Sequence, residues 1–302
     1  MQLSSQKPVF KISEWFNSQH CVGTGKKPVE IYVFIDPLCP ECWAMEPNLK
    51  KLLVEYGQFF SIKHILTGKL TDLNFCSKVS ETMAQVWERT ASRTGMSCDG
   101  SLWFQNPISS PYNISIAIKA AELQGRRVGT KFLRKLRELL FLEKQNISDM
   151  NVLTDCARSI GLDVEEFMND ITSEAAAKAF QCDLKISIEM EVTESPTVVF
   201  FNQNIEEEGI KVSGAYLYEV YVTILEEMLG ELPPPAELPP IETFIHYFGL
   251  VATKEIAVVY NMKDSDVERE MKKLILQQKV EKMPVKYGTF WKYIGRDRSE
   301  CK

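Results

Sequence analysis

The stretch EIYVFIDPLCPECWAMEP, residues 30 to 47, constrains the fold more than any other part of the chain. Val29 to Ile35, a run of β-branched and aromatic residues, reads as a buried strand. It leads directly into Cys39-Pro40-Glu41-Cys42 at the mouth of a helix predicted over Pro40 to Tyr56. Leu49, Leu52, Leu53 and Tyr56 recur at three- and four-residue intervals, and Pro47, which has no amide proton, places a kink one to two turns in. After a stop at Gly57, Phe59 to Leu66 alternates as a second strand. The order is βαβ, with a dithiol at the first strand-to-helix turn.

Beyond Leu66 helical periodicity dominates. Phe75 to Thr94, Tyr112 to Gln124, Thr130 to Lys144, Asp149 to Ile160, Val164 to Asp170 and Ser173 to Met190 repeat apolar residues at helical spacing. Turns at TGMSCDG, QGRRVG, KQNISD and GLD separate them. The chain returns to strand at Ser195 to Phe201 and near Gly209 to Val212, then closes with a helix from Tyr216 to Leu229. GELPPPAELPP, residues 230 to 240, follows with five prolines that fix φ and remove amide donors, so neither helix nor central strand runs through it. The expected partition is a domain over 1–230 with a helical insertion over about 70–190, a proline-rich linker over 231–240, and a small domain over 241–302.

Composition narrows the function class. In 302 residues with 45% apolar content there is material for a substantial core, and a formal net charge of -6 gives no overall attraction for nucleic acid or anionic membrane. Met1 to Ile12 lacks an apolar stretch of signal-peptide length, and no run approaches the roughly 18 apolar residues of a membrane span, so a cytoplasmic protein is expected. The eight cysteines are then reduced in the main, and only Cys39 and Cys42 have an informative spacing.

Four separated features resemble the DsbA-like thioredoxin-fold proteins. They are Cys39-Pro40-Glu41-Cys42 after a strand, Pro47 eight residues beyond the first cysteine, Ser195-Pro196-Thr197 before a strand, and Ser213-Gly214-Ala215-Tyr216 opening the last helix. The resemblance implies an α/β, DsbA-like thioredoxin fold with a large helical insertion. It also implies a cis bond at Ser195–Pro196 beside the dithiol, where the Ser195 backbone would meet an incoming extended chain. The longer block EIYVFIDPLCPECWAMEPNLKKLLVEYGQFFSIKHILTGKL is similar to the YjbH (SpxH) adaptors of Firmicutes, which deliver the stress transcription regulator Spx to the ClpXP protease. That similarity implies a non-enzymatic adaptor with an Spx-like regulator and ClpXP as partners, and no catalytic residues. The alternative is a cytosolic thiol-disulfide oxidoreductase. Members of the adaptor family can carry a His/Cys-rich N-terminal stretch associated with zinc, of which this chain keeps only His20-Cys21. No cofactor is expected, since three histidines leave few nitrogen ligands and zinc would need His20, Cys21 or thiolates such as Cys39 and Cys42.

The dithiol itself can be weighed from its neighbours. Unpaired amides and the macrodipole at a helix N-terminus lower a thiol pKa, which favours Cys39 as the thiolate, with Cys42 one turn inward to resolve a mixed disulfide. Glu41 between them is expected to oppose ionisation. The Cys39–Cys42 pair is therefore read as a signature of the fold first, on a scaffold kept for docking, as a redox sensor second, and as a turnover centre last. Cys76, Cys156 and Cys182 fall on amphipathic patterns and are expected in the core, Cys98 and Cys301 at the surface, and His64, inside an apolar strand, in a structural role. Arg126, Arg127, Lys131, Arg134, Lys135 and Arg137 lie on or near one helix. They make either a docking face for an acidic partner segment or, as favoured here, a solvated face over Phe132, Leu133, Leu136 and Leu140.

After the linker, Ile241 to Leu250, Thr253 to Tyr260 and Ser265 to Gln277 read as helices, and Lys279 to Met283 with Thr289 to Ile294 as a hairpin around PVKYG. Three helices and a hairpin make a winged-helix-like arrangement, which raises a rival reading as a redox-sensing DNA-binding regulator. Its third helix would enter a phosphate-lined groove with Asp264, Asp266, Glu268 and Glu270 leading, and would be repelled. A protein-interaction module is expected instead, with no nucleic acid or membrane partner.

Overall fold

The computed structural model describes residues 27–68, 77–108, 110–204 and 206–295. His20, Cys21, Cys76 and Cys301 lie outside the described residues. β1 (Val29–Ile35) is an inner strand of the first sheet. Its Val29, Ile31, Val33 and Ile35 join the main core, while Phe34 on the opposite face packs with Ile65 and Val199. Burial on both faces explains why this segment reads as a near-continuous apolar run rather than an alternating one.

The helix expected over Pro40 to Tyr56 is two helices, α1 (Pro40–Ala44) and α2 (Glu46–Tyr56), joined at Met45. Pro47 disfavours helical geometry at the residue before it, and the break falls just upstream of the proline. β2 (Phe60–Leu66) pairs parallel to β1, with Val33 opposite His64. The helical block comprises α3 (Ser77–Thr94), α4 (Leu102–Gln105), α5 (Pro111–Leu123), α6 (Arg126–Phe141), α7 (Met150–Ser159), α8 (Val164–Ile171) and α9 (Glu174–Glu189). The chain then re-enters the sheet as β3 (Thr197–Phe201) and β4 (Ile210–Ser213), giving the order β2-β1-β3-β4, before α10 (Tyr218–Leu229). This is the expected α/β thioredoxin architecture with a helical insertion.

Two helix starts differ from the sequence reading. α6 begins at Arg126 rather than Thr130, because Gly125, at φ 133, makes the turn one step earlier. Gly129 then lies within the helix, where a Cβ would meet Glu122 Cγ of α5 at 2.4 Å, so this glycine serves close helix approach and not a turn. The last helix starts at Tyr218, leaving Gly214 to Leu217 as loop.

The C-terminal elements are α11 (Ile241–Phe248), β5 (Leu250–Ala252), α12 (Thr253–Val259), α13 (Asp264–Leu276), β6 (Val280–Pro284) and β7 (Thr289–Tyr293). The strands form an antiparallel sheet ordered β5-β7-β6. This module is docked rather than loosely tethered. Val54 of α2 sits in the core of Phe244, Val251, Ile256 and Trp291, while Leu250, Ala252 and Phe290 belong to the main core. The proline-rich stretch carries neither helix nor strand and is itself held, Ala236 N donating to Glu55 O at 2.9 Å and Tyr260 Oη to Pro239 O at 2.7 Å.

A buried charge cluster joins the two parts. Glu255 of α12, fully buried, accepts from Lys50 Nζ of α2 at 2.6 Å and from Arg134 Nη1 of α6 at 3.0 Å, and it also caps its own helix by accepting from Ala252 N at 2.7 Å. The expected basic face is corrected here. Arg134 is spent on Glu255, Glu46 and Glu138, Lys135 leans on Glu138 and Glu143, and Arg137 is buried on Glu46. Only Arg126, Arg127 and Lys131 of that run remain exposed. A helix periodicity cannot show that a cation faces carboxylates contributed by residues far along the chain.

Candidate functional site

Cys39 is the N-cap of α1, with its side chain accepting from Cys42 N at 3.3 Å and donating to Ser195 O at 3.4 Å. The strand β1 ends at Ile35, and the turn is closed by Cys39 N donating to Asp36 O and Leu38 N to Asp36 Oδ1. The Ser195–Pro196 bond is cis, and the loop is fixed from both sides, by Thr67 Oγ1 at 3.0 Å from Ser195 Oγ and by Gly214 N donating to Pro196 O at 2.7 Å. All four predicted residues, Cys39, Cys42, Ser195 and Pro196, therefore come together at one end of the sheet.

The two thiols are not equivalent. Cys39 is half-buried and its pKa is lowered, chiefly by the hydrogen bond from the Cys42 thiol. Burial opposes the shift and the amides of Cys42 and Glu41 add to it. Cys42 is buried and pushed well above the ordinary thiol range, first by burial and then by Cys39 itself, with Arg137 pulling the other way. The expectation that Glu41 suppresses the thiolate is corrected: its carboxylate accepts from Thr90 Oγ1 at 2.7 Å and from Arg93 Nη2 at 2.6 Å, and the carboxylate that does oppose Cys39 is Asp36. Iodoacetamide at neutral pH is accordingly expected to modify Cys39 in the native chain and to spare Cys42, as site-resolved mass spectrometry would show. Equal rates at the two would contradict this asymmetry.

Trp43, directly after the dithiol, ties it to the rest of the molecule. Its Nε1 donates to Ser97 O at 3.1 Å, the Arg134 guanidinium lies 4.3 Å from its ring centre, and Phe141 and Phe290 stack on it at 5.6 and 6.1 Å. Phe290 comes from β7, so the C-terminal sheet reaches the underside of the dithiol helix. The β6–β7 turn is fastened to the loop holding Ser97, Tyr287 N donating to Ser97 Oγ at 3.3 Å, and to α3, Lys286 pairing with Glu88 at 2.6 Å. Sequence spacing carried no signal for Ser97, Arg134 or Phe290 beside Trp43, since each arrives from a different element.

The remaining cysteines and His64 are placed as follows. Cys156 is buried as expected, but Cys98 is buried and Cys182 exposed, the reverse of the sequence reading. The loop holding Cys98 is pinned over the dithiol helix by Trp43 and Tyr287, whereas α9 turns Cys182 outward. His64 is half-buried on β2, and burial pushes its imidazole down to about 4, so it is neutral at pH 7. Among the described residues no group of three or more His, Cys, Asp or Glu side chains could hold a metal ion, and no helix is long and apolar enough to cross a membrane.

A family model described as thioredoxin matches residues 32–223. A ClpXP adapter protein SpxH of Bacillus subtilis (strain 168) is 54% identical over 278 residues, covering 91% of this chain and 93% of the relative. One of Bacillus licheniformis is 52% identical over 276 residues, covering 91% and 92%. Among solved structures, a putative protein disulfide isomerase from Nitrosomonas europaea superposes with a TM-score of 0.60 at 15% identity, covering 68% of this chain and 98% of its own. The cytosolic disulfide reductase DsbM from Pseudomonas aeruginosa does so at 0.55 and 16%, covering 67% and 98%. At those identities the structural likeness concerns the fold.

Proposed function

Because the chain belongs to the SpxH family of ClpXP adapter proteins, we propose that it binds the stress transcription regulator Spx in the cytoplasm and hands it to ClpXP for degradation. The observation that carries this reading is the extent of the likeness: the adapter relatives match nine-tenths of the chain, the disulfide-exchange structures about two-thirds. An adapter needs no transition-state chemistry, only surfaces that raise the local concentration of client at the protease. A thioredoxin body with a helical insertion and a firmly docked second module supplies such surfaces without asking anything of Cys42, whose buried thiol resists ionisation.

Mixing the purified chain with Spx should give a complex that sediments faster than either protein alone. Independent sedimentation at micromolar concentrations would remove the Spx assignment. A second reading, a cytosolic thiol-disulfide oxidoreductase, is favoured by the lowered Cys39 pKa and by Ser195 O beside it. Insulin reduction that turns over and disappears with Cys39→Ala would support that reading instead.

A further inference from the structure

A second site lies away from the dithiol, in a cleft of about 330 Å³ lined by β2, α5, α6 and α9. Ile62, Lys63 and His64 all line it. Three consecutive strand residues, whose side chains alternate between faces, can share one cleft only if it runs along the strand's edge. β2 is the outer strand of its sheet. Its outward backbone groups are identified by Phe60 O, which accepts from Lys27 Nζ at 2.9 Å, and by Leu66 N, which donates to Asp183 Oδ2 at 2.9 Å. Ile62 and His64 share that parity, so their N–H and C=O groups also point away from β1, and among the described residues nothing bonds them. Asp183 of α9 closes the C-terminal end of the edge and leaves this middle stretch open.

Charge and apolar surface complete the site. Lys119 is buried on Asp183 at 2.5 Å and Glu122 at 2.7 Å. Lys63 lies over the Tyr32 ring, and neither it nor the exposed Arg126 is held in a close ion pair among the described residues, although Arg126 attracts the Glu122 carboxylate, which Lys119 already binds. With His64 neutral, the lining keeps an excess of positive charge. Leu123, 46% exposed, offers an apolar contact at the rim, beside the exposed thiol of Cys182.

We propose that this cleft binds an acidic segment of a partner protein in extended conformation, pairing its backbone with Ile62 and His64 and its carboxylates with Lys63 and Arg126. A sheet edge offering donors and acceptors in alternation suits a peptide backbone, whereas a simple anion would use the donors alone. The inference deepens the adapter reading, which gives such a surface its purpose, but binding can be measured without Spx or ClpXP, so either can fail while the other stands.

The test uses the full chain with a fluorescein-labelled, end-blocked Glu-Val-Glu-Val-Glu peptide and its Lys-Val-Lys-Val-Lys counterpart. The acidic peptide is expected to bind saturably, to weaken with added salt, and to slow maleimide modification of Cys182 followed by mass spectrometry. Arg126→Glu should weaken binding about tenfold or more by placing like charges together. Ile62→Pro, which removes an outward amide at a sheet edge where proline is tolerated, should weaken it too, with the circular dichroism spectrum unchanged. Equal binding of the basic peptide, bound peptide that leaves Cys182 unprotected, or indifference to Arg126→Glu would overturn the proposal. So would protection of Cys182 by acetate or phosphate alone, which would mark a small-anion site.

Discussion

Replacing Glu255 by alanine is expected to lower the unfolding free energy by about 3–5 kcal/mol, the cost of leaving buried charge without its counterpart. Both Lys50 and Arg134 would lose their shared carboxylate, and α12 would lose the cap on Ala252 N. Urea denaturation followed by tryptophan fluorescence reads the effect, and a loss under about 1 kcal/mol would show the cluster to be far less committed than its burial implies. The pH dependence has a definite sign. Burial would push the Glu255 carboxyl up, but Arg134, Lys50 and the Ala252 amide together hold it below the ordinary range. A carboxyl whose folded pKa is depressed stabilises above its unfolded value of about 4.3, and that contribution fades as pH falls through the folded pKa. The gap between wild type and Glu255→Ala should therefore be full at pH 7 and narrow toward acid.

Trp43→Ala should cost a similar amount, about 3–5 kcal/mol, since a fully buried indole is lost and its cavity is walled by side chains that other contacts hold in place. Arg134 is fixed by Glu255 and Glu138, and Phe290 by its ladder to β5 and β6. Because Phe290 stacks on Trp43 from the C-terminal sheet, the two should be coupled. A double-mutant cycle with Phe290→Ala is expected to return about 0.5–1.5 kcal/mol of interaction beyond the separate losses. Strict additivity would mean that the module docks without engaging the dithiol helix.

The strand, the Cys39–Cys42 turn and the helical block were legible because each is local: a buried apolar run, a cysteine spacing, a 3.6-residue period. The meeting of Ser195 and Pro196 with Cys39 was legible only through family resemblance, since it spans more than 150 positions of chain. What escaped was set by tertiary partners. Four residues in α4 and three in β5 are too short to show a period. Arg134 and Lys135 look like surface charge until Glu46, Glu138, Glu143 and Glu255 are placed around them, and Glu41 looks like a brake on Cys39 until Arg93 and Thr90 take it away. Cys98 and Cys182 were exchanged between core and surface for the same reason: a turn can be pinned inward, and an amphipathic helix can present a small apolar residue outward.

The adapter reading places the work in binding surfaces and leaves the dithiol outside the delivery step. The decisive comparison is the rate at which ClpXP degrades purified Spx alone, with this chain, and with its Cys39→Ala/Cys42→Ala variant under reducing conditions. Both forms of the chain should accelerate degradation to the same extent. Acceleration by neither would refute the adapter assignment, and acceleration by the wild type alone would show that the thiols take part.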